Sequence, residues 1–304
     1  MKQPVAYLGP RGTFTYEAAR SLFPEESYQH TPCDSIPDVL TAVDSKEFAY
    51  GVVPVENAIE GSVNMTLDWL VHHVDVQITG ELVYPITQNL MTHREHADWS
   101  FDRFTRVISH PQAVAQCRSH LREILPEAKI AYADSTAEAA RQVAGHPEEA
   151  WVTVGPRSAG ELYGLSVLRS GIQDYANNFT RFIAVGEKWS HPIVAPEREK
   201  CSLLITLPSD FPGALHRVLA SFARNGVNLS RIESRPTKKK LGTYHFFIDA
   251  EQGANQPGVA EASQEIKKWG CGVRQLGSYP CYSFDKISGN RSVDKGVTTP
   301  YNQR

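Results

Sequence analysis

The sequence predicts an α/β protein in two unlike parts: a two-lobed, hinged strand–helix region over residues 1–186, and a smaller ferredoxin-like βαββαβ module over residues 200–284. Three observations predict it. Short apolar strands alternate with amphipathic helices through the first 185 residues, the pattern of a mostly parallel sheet covered by helices on both faces. Two extended apolar stretches, at 76–92 and 172–186, break the alternation and read as chain crossings between two lobes. The stretch "EKWSHPIVAPERE" at 187–199 is Pro-rich, charged and aperiodic, as a linker is, and the pattern changes after it.

The elements follow in order. "VAYLG" at 5–9 is a strand, and a helix runs from about Thr15 to Phe23. Ile36, Val39, Leu40 and Val43 repeat at helical spacing behind Ser35, an N-cap residue type. "YGVVPVEN" at 50–57 is the second strand; Val63, Thr66, Leu67 and Leu70 then share a helical face behind Ser62. "TRVISH" at 105–110 precedes a helix burying Val114, Cys117, Leu121 and Leu125, and "KIAYADS" and "AWVTVGP" repeat the theme. In the second part "KCSLLITLP" is a strand, and a helix from Gly213 to Asn225 buries Leu215, Val218, Leu219 and Phe222. "VNLSRIESRP" and "TYHFFIDAE" are strands joined by the turn "TKKKLG". A helix carrying Val259, Ala262, Ile266 and Trp269 and the strand "CGVRQLGSYPCYS" complete the module. Residues 285–304 are polar and expected to be disordered.

Composition excludes several classes. A net charge of −3 over 304 residues gives no global attraction to nucleic acid or to an anionic membrane, so an anionic ligand must be held by local groups. No stretch approaches the ~20 apolar residues of a membrane span, and "MKQPVAYLGP" lacks the apolar run of a signal peptide. The five cysteines are scattered and read as reduced thiols of a cytoplasmic protein. The eleven histidines include "HH" at 72–73 and "HREH" at 93–96, but neither has a metal site's ligand spacing, so no metal and no cofactor are expected.

Small polar residues stand at the strand ends, where open α/β sheets bind ligands. "GPRGTFTYEA" supplies Thr13; "PVENAIEGSV" supplies Glu56, Asn57 and Ser62; "SHPQAVAQC" supplies Ser109 and Gln112; "ADSTAEAA" supplies Ser135 and Thr136. Each could be an ordinary helix cap. Together they could make an anion site from helix N-termini. "NNFTRFIAVGE" at 177–187 adds Asn178, Thr180, Arg181 and Phe182 at the entry to an apolar strand. No phosphate loop, dinucleotide fingerprint or nucleophile elbow is present, and Glu56 is the one carboxylate expected in the cleft. An enzyme so equipped would rely on oriented hydrogen bonds, one proton donor and desolvation.

"GPRGTFTYEAA", "PVENAIEGSV", "SHPQAVAQC" and "NNFTRF" resemble, in order and spacing, the catalytic stretches of the prephenate dehydratases, the family that makes phenylpyruvate on the route to phenylalanine. "GALH" (Gly213, Ala214, Leu215, His216) and "ESRP" (Glu233, Ser234, Arg235, Pro236) resemble the two phenylalanine-binding motifs of an ACT regulatory domain, and Asn228 lies between them. His216 departs from the apolar or aromatic residue often found there. The resemblance implies a type-II periplasmic-binding-protein-like fold for the lobes and Thr180 as the residue closest to turnover. Phe182 would face the substrate ring and Asn178 a polar edge of it. Glu56 and Asn57 would bind the ring hydroxyl or cap the next helix; Thr13, Ser62, Ser109 and Thr136 would contact carboxylates. Arg181 would either hold a carboxylate or tie the crossings together. The resemblance also implies prephenate as substrate, L-phenylalanine as effector at a subunit interface, and a dimer or tetramer assembled through the ACT domains. Two alternatives carry the same fold: an arogenate dehydratase and a non-catalytic sensor of amino acids.

Overall fold

In a computed structural model, which describes residues 2–189, 194–238 and 243–289, the strands form two sheets. Lobe 1 contains β1 (Gln3–Leu8), α1 (Phe14–Leu22), β2 (Tyr28–Cys33), α2 (Ile36–Asp44), β3 (Tyr50–Asn57), β4 (Gly61–Ser62), α3 (Asn64–His72) and β5 (Ile78–Pro85). Lobe 2 contains β6 (Asn89–His93), β7 (Arg106–Ser109), α4 (Pro111–Gln116), α5 (Arg118–Ile124), β8 (Lys129–Tyr132), α6 (Thr136–Gly145), β9 (Trp151–Gly155), α7 (Arg157–Tyr163) and β10 (Leu165–Ser170). Its five strands lie in the order β10-β6-β9-β7-β8. The chain enters lobe 2 between β5 and β6 and returns along β11 (Phe179–Gly186), which pairs antiparallel with both β3 and β5. The chain thus passes twice between the lobes, making a two-lobed clamshell.

The C-terminal module runs β12 (Arg198–Thr206), α8 (Ala214–Arg224), β13 (Leu229–Pro236), β14 (Tyr244–Ala250), α9 (Pro257–Lys268) and β15 (Gly272–Ser283), in the expected βαββαβ order. Its own core packs Ile205, Val218, Phe222, Ile248, Val259 and Ile266. The long β15 does more than close the module. Cys281–Ser283 pair in parallel with Glu81–Val83 of β5, so the module and lobe 1 share one sheet, in the order β13-β14-β12-β15-β5-β11-β3-β1-β2. Gly277 permits this junction, because a side chain there would collide with the Ile78 carbonyl. Leu204, Phe247, Leu276 and Tyr279 belong to the same buried cluster as Val53, Ile183 and Val185 of lobe 1. Burial of each such side chain is worth about 1.5–3 kcal/mol.

Four differences from the sequence reading have physical causes. The helix after Ser109 is broken at Cys117, where the Asp174 carboxylate accepts the free N–H groups of Ser119 and His120 and starts α5 afresh. Ser62 does not cap α3; it sits in β4, and Val63 is the cap position. Residues 284–289 are helical rather than disordered, because Ile287 inserts into the lobe 1 core beside Tyr282. The supposed linker is part structure: Trp189 packs on Phe23 and Tyr282, and β12 begins at Arg198. Residues 190–193, most of the "TKKKLG" turn (239–242) and residues 290–304 lie outside the described residues. No helix among the described residues is long and apolar enough to cross a membrane.

Candidate active site

A cleft of about 510 Å³ opens between the lobes at the ends of their parallel strands. Its polar lining includes Thr13, Asn57, Ser62, Gln112, Ser135, Thr136 and Thr180. Thr13 caps α1 by accepting the Tyr16 N–H, and Ser135 caps α6 by accepting the Glu138 N–H, so these two read correctly as caps and also face the cleft. Among the described residues the lining contains no Lys or Arg. The N-terminal ends of α1 and α6 border the cleft, and a helix N-terminus favours anions. Phe182 and Ile86 supply an apolar floor.

Thr180 stands opposite Asn57 in the β11–β3 register, and the two side chains meet. Asn57 Nδ2 donates to Thr180 Oγ1 at 2.9 Å and to Asn178 Oδ1 at 3.0 Å. Asn57 Oδ1 is taken by the backbone N–H groups of Ile59 and Glu60, which fixes the amide's orientation. Asn178 Nδ2 donates to Gln116 Oε1 at 3.0 Å, and Gln116 Nε2 donates to the Glu60 carboxylate at 3.1 Å. The carboxylate can only accept, so this end of the chain agrees in polarity with the other. Thr180 is therefore an acceptor from Asn57, and among the described residues none takes its hydroxyl proton. That proton is free to point into the cleft.

Several expected site residues lie elsewhere. Strand alternation puts Arg181 on the face opposite Thr180 and Phe182. Its guanidinium lies 2.6 Å from Asp249 of β14, 3.3 Å from Glu56 and 3.5 Å from Glu81. Burial works against the Arg181 charge, but Asp249 and Glu81 outweigh it and hold the group well above its ordinary pKa. Arg181 is thus paired with carboxylates behind the cleft, and neither it nor Glu56, its cross-strand partner, is part of the cleft lining. Ser109 is also withdrawn: it is fully buried, and its hydroxyl donates to the Val154 carbonyl. Ser62 lines the cleft, yet its hydroxyl is occupied by the C-terminal module, donating to Glu233 at 2.8 Å and accepting from Arg231 at 2.7 Å.

The same order of cleft stretches is written into a known family. Residues 5–190 match the family model described as prephenate dehydratase, and residues 202–266 match that of the ACT domain. The chain belongs to the prephenate dehydratase family. It is 40% identical over 287 residues to the prephenate dehydratase of Bacillus subtilis (strain 168), covering 92% of this chain and 99% of that relative. It is 42% identical over 279 residues to the bifunctional chorismate mutase/prephenate dehydratase of Aquifex aeolicus (strain VF5), covering 92% of this chain and 74% of that one. Among solved structures, the prephenate dehydratase from Arthrobacter aurescens in complex with L-Phe superposes with a TM-score of 0.80 at 34% identity, over 91% of this chain and 89% of that one.

Within this prephenate dehydratase fold the cleft also contains residues that the sequence reading missed. Glu60 and Asp134 are the acidic groups of the lining, with His110, Gln88 and Gln116 beside them. Glu60 reaches from lobe 1 to two glutamines of α4 in lobe 2, accepting from Gln112 Nε2 at 2.6 Å as well as from Gln116. A signal existed: Gln112 and Gln116 are four apart and so share one helix face.

The ACT stretches are placed as follows. Gly213 caps α8 at φ +88, a left-handed conformation that suits glycine, and leads directly into Ala214, Leu215 and His216. Asn228 donates to Glu251. Along β13, Arg235 makes a two-pronged pair with Asp68 at 2.7 Å and 2.7 Å and reaches Asn64, while the Pro236 carbonyl faces His72. Glu233 and Arg235 are thus engaged with lobe 1, and Ser234 is exposed. Among the described residues no group of three or more His, Cys, Asp or Glu is placed to hold a metal ion.

Proposed function

We propose that this chain is a prephenate dehydratase acting in L-phenylalanine biosynthesis, with residues 1–186 catalytic and residues 200–284 regulatory. Prephenate loses carbon dioxide from one ring position while hydroxide leaves from the opposite one. The electron pair of the breaking C–C bond passes into the ring, the C–O bond breaks, and the ring becomes aromatic. Aromatisation drives the reaction, so the barrier lies in helping the hydroxyl leave. The observation that carries the reading is the polarity at Thr180: Asn57 donates to its oxygen, which leaves the hydroxyl proton to make a hydrogen bond to the departing oxygen as hydroxide character develops, the proton staying on Thr180. Such assistance is typically worth ~100- to 10,000-fold, and fixed donors in a water-poor cleft add to it.

Phe182 and Ile86 would pack the ring, Asn178 would hold Asn57 in place, and Thr13, Gln112, Ser135 and Thr136 with the N-termini of α1 and α6 would receive the two carboxylates. L-phenylalanine would bind the ACT domain near Gly213–His216 and Glu233–Pro236, between subunits of a dimer or tetramer. The edge strand β13, with exposed Ile232, supports pairing through this module. Free thiols at all five cysteines suit the cytoplasm. The decisive experiment mixes purified protein with prephenate and follows release of carbon dioxide and phenylpyruvate. Absence of both products would overturn the reading.

A further inference from the structure

Ser62 belongs to two sites at once. It lines the cleft, on the two-residue strand β4 that pairs with Glu56 and Asn57. Yet its hydroxyl proton and one of its lone pairs are engaged by β13 of the ACT domain. Its proton goes to Glu233 at 2.8 Å, and its oxygen receives Arg231 at 2.7 Å. Glu233 opens the "ESRP" stretch, and Arg231 stands two residues earlier on the same strand face. Arg231 is buried, and among the described residues its Nε and Nη1 have no hydrogen-bond partner. Its Nη2 donates to Ser62, its guanidinium lies over the ring of Phe247, and the carboxylates of Asp249, Glu56 and Glu233 favour its charge.

From this geometry we infer that Ser62 is a regulated substrate contact: Glu233 and a substrate carboxylate compete for the one Ser62 proton, and the position of β13 decides which receives it. In the conformation described, Glu233 has it, and the cleft lacks one carboxylate donor. When β13 shifts, Ser62 turns to the cleft. An effector that fixes β13 in one position thereby changes substrate affinity without touching Thr180. The Ser62 contact is direct, so no long relay through the core is needed. The neighbouring Arg235–Asp68 pair ties the same strand to α3 and sets how far it can travel. The inference rests on the reading of the chain as a dehydratase controlled by phenylalanine.

The test measures KM for prephenate with and without phenylalanine in the wild type, Ser62→Ala and Ser62→Thr, with phenylalanine binding followed separately by calorimetry on each full-length protein. In the wild type phenylalanine is expected to change KM within the usual allosteric range of roughly 5- to 150-fold. In Ser62→Ala that factor is expected to shrink to about 1, with phenylalanine still bound and kcat much less affected than KM. Ser62→Thr, which keeps a hydroxyl, is expected to restore part of the response. An Ala variant that binds phenylalanine and keeps the full wild-type effect on KM overturns the inference. A wild type that turns prephenate over with no response to phenylalanine also overturns it, while leaving the dehydratase reading intact. A wild type without turnover brings down the underlying reading instead.

Discussion

Arg181 and Asp249 join β11 to the ACT domain: the guanidinium and carboxylate stand 2.6 Å apart, linking β11 to β14. The pair lies one residue from Thr180, on the reverse face of the same strand. Asp249 is fully buried and also accepts from Ser202. Burial alone would raise its pKa, but Arg181 and the Ser202 hydroxyl more than offset that and hold it below the ordinary range. Removing one member of a buried pair strands the other and typically costs about 3–5 kcal/mol. Asp249→Asn is expected at the lower end, since Glu81 and Glu56 still face Arg181. Urea unfolding checks this; an unchanged midpoint and slope would show that the pair contributes nothing net.

Thr180 is the sharpest test of the chemistry. Thr180→Ala is expected to fold, to bind substrate and to lose at least ~100-fold in turnover, because it removes the proposed hydroxyl donor and leaves the proposed carboxylate contacts in place. Thr180→Ser keeps the hydroxyl and is expected to retain more. Near-normal turnover in the Ala variant would remove Thr180 from the mechanism.

Glu17 gives a pH signature. It lies on α1 between the lobes, accepting from Tyr84 Oη at 3.0 Å and from the Ser158 N–H of α7 at 3.3 Å. Burial raises its pKa more than these donors lower it, and Glu161 adds to the rise. The folded protein thus holds this proton more tightly than the unfolded chain does. The contribution to stability is fully present below the unfolded value of about 4.3 and is lost as pH rises through the folded value. Glu17→Gln carries no such penalty. The gain in Tm over the wild type is expected to be small near pH 4 and to grow toward neutral pH. A gain that is absent or constant with pH would mean that Glu17 is not held this way.

Much of this architecture is legible because local patterns carry it. Caps at Thr13, Ser35 and Ser135 announce helices, and the alternation of β11 already separates Thr180 and Phe182 from Arg181. The same period of two applied to β3 would have sent Glu56 outward with Arg181 and kept Asn57 in the cleft. Glu56 was expected inside because a carboxylate beside an amide invites a catalytic reading. The β5–β15 pairing was hidden for a different reason. Nearly two hundred residues separate Glu81 from Cys281, and each strand reads as complete within its own unit. Ser62 looks like a cap in sequence; only the folded chain brings Arg231 and Glu233 to it.

Gly213 tests the effector site. Nothing lies within 4 Å of a Cβ built there, so a side chain meets open space, but its φ of +88 disfavours any residue but glycine. The left-handed conformation costs an L-residue roughly 1–2 kcal/mol, and a β-branched one more. Gly213→Val is expected to distort the start of α8 and to raise the phenylalanine concentration needed for inhibition. Turnover without phenylalanine should change little, because α8 lies in the ACT domain and contributes nothing to the cleft lining. Unchanged sensitivity to phenylalanine would move the effector site away from this turn.

The shared sheet predicts what truncation does. A chain ending near Ser190 would look like an intact catalytic domain if the two parts had separate cores. The structure argues otherwise. Removing β15 unpairs Glu81–Val83 of β5 and turns a central strand into an open edge, a ready template for aggregation. It strips Leu204, Phe247, Leu276 and Tyr279 from the cluster around Val53, Ile183 and Val185. It also leaves Arg181 without Asp249, and Glu81 without its Lys200 partner at 2.7 Å. The truncated chain is therefore expected to be far less stable than the full chain, to associate through the freed edge of β5, and to show low turnover with no response to phenylalanine. Sedimentation and thermal unfolding of the two chains side by side check this. A truncated chain that is monomeric and as stable as the full one would show that the β5–β15 junction is dispensable. One that is still inhibited by phenylalanine with unchanged sensitivity would place inhibition at the cleft itself.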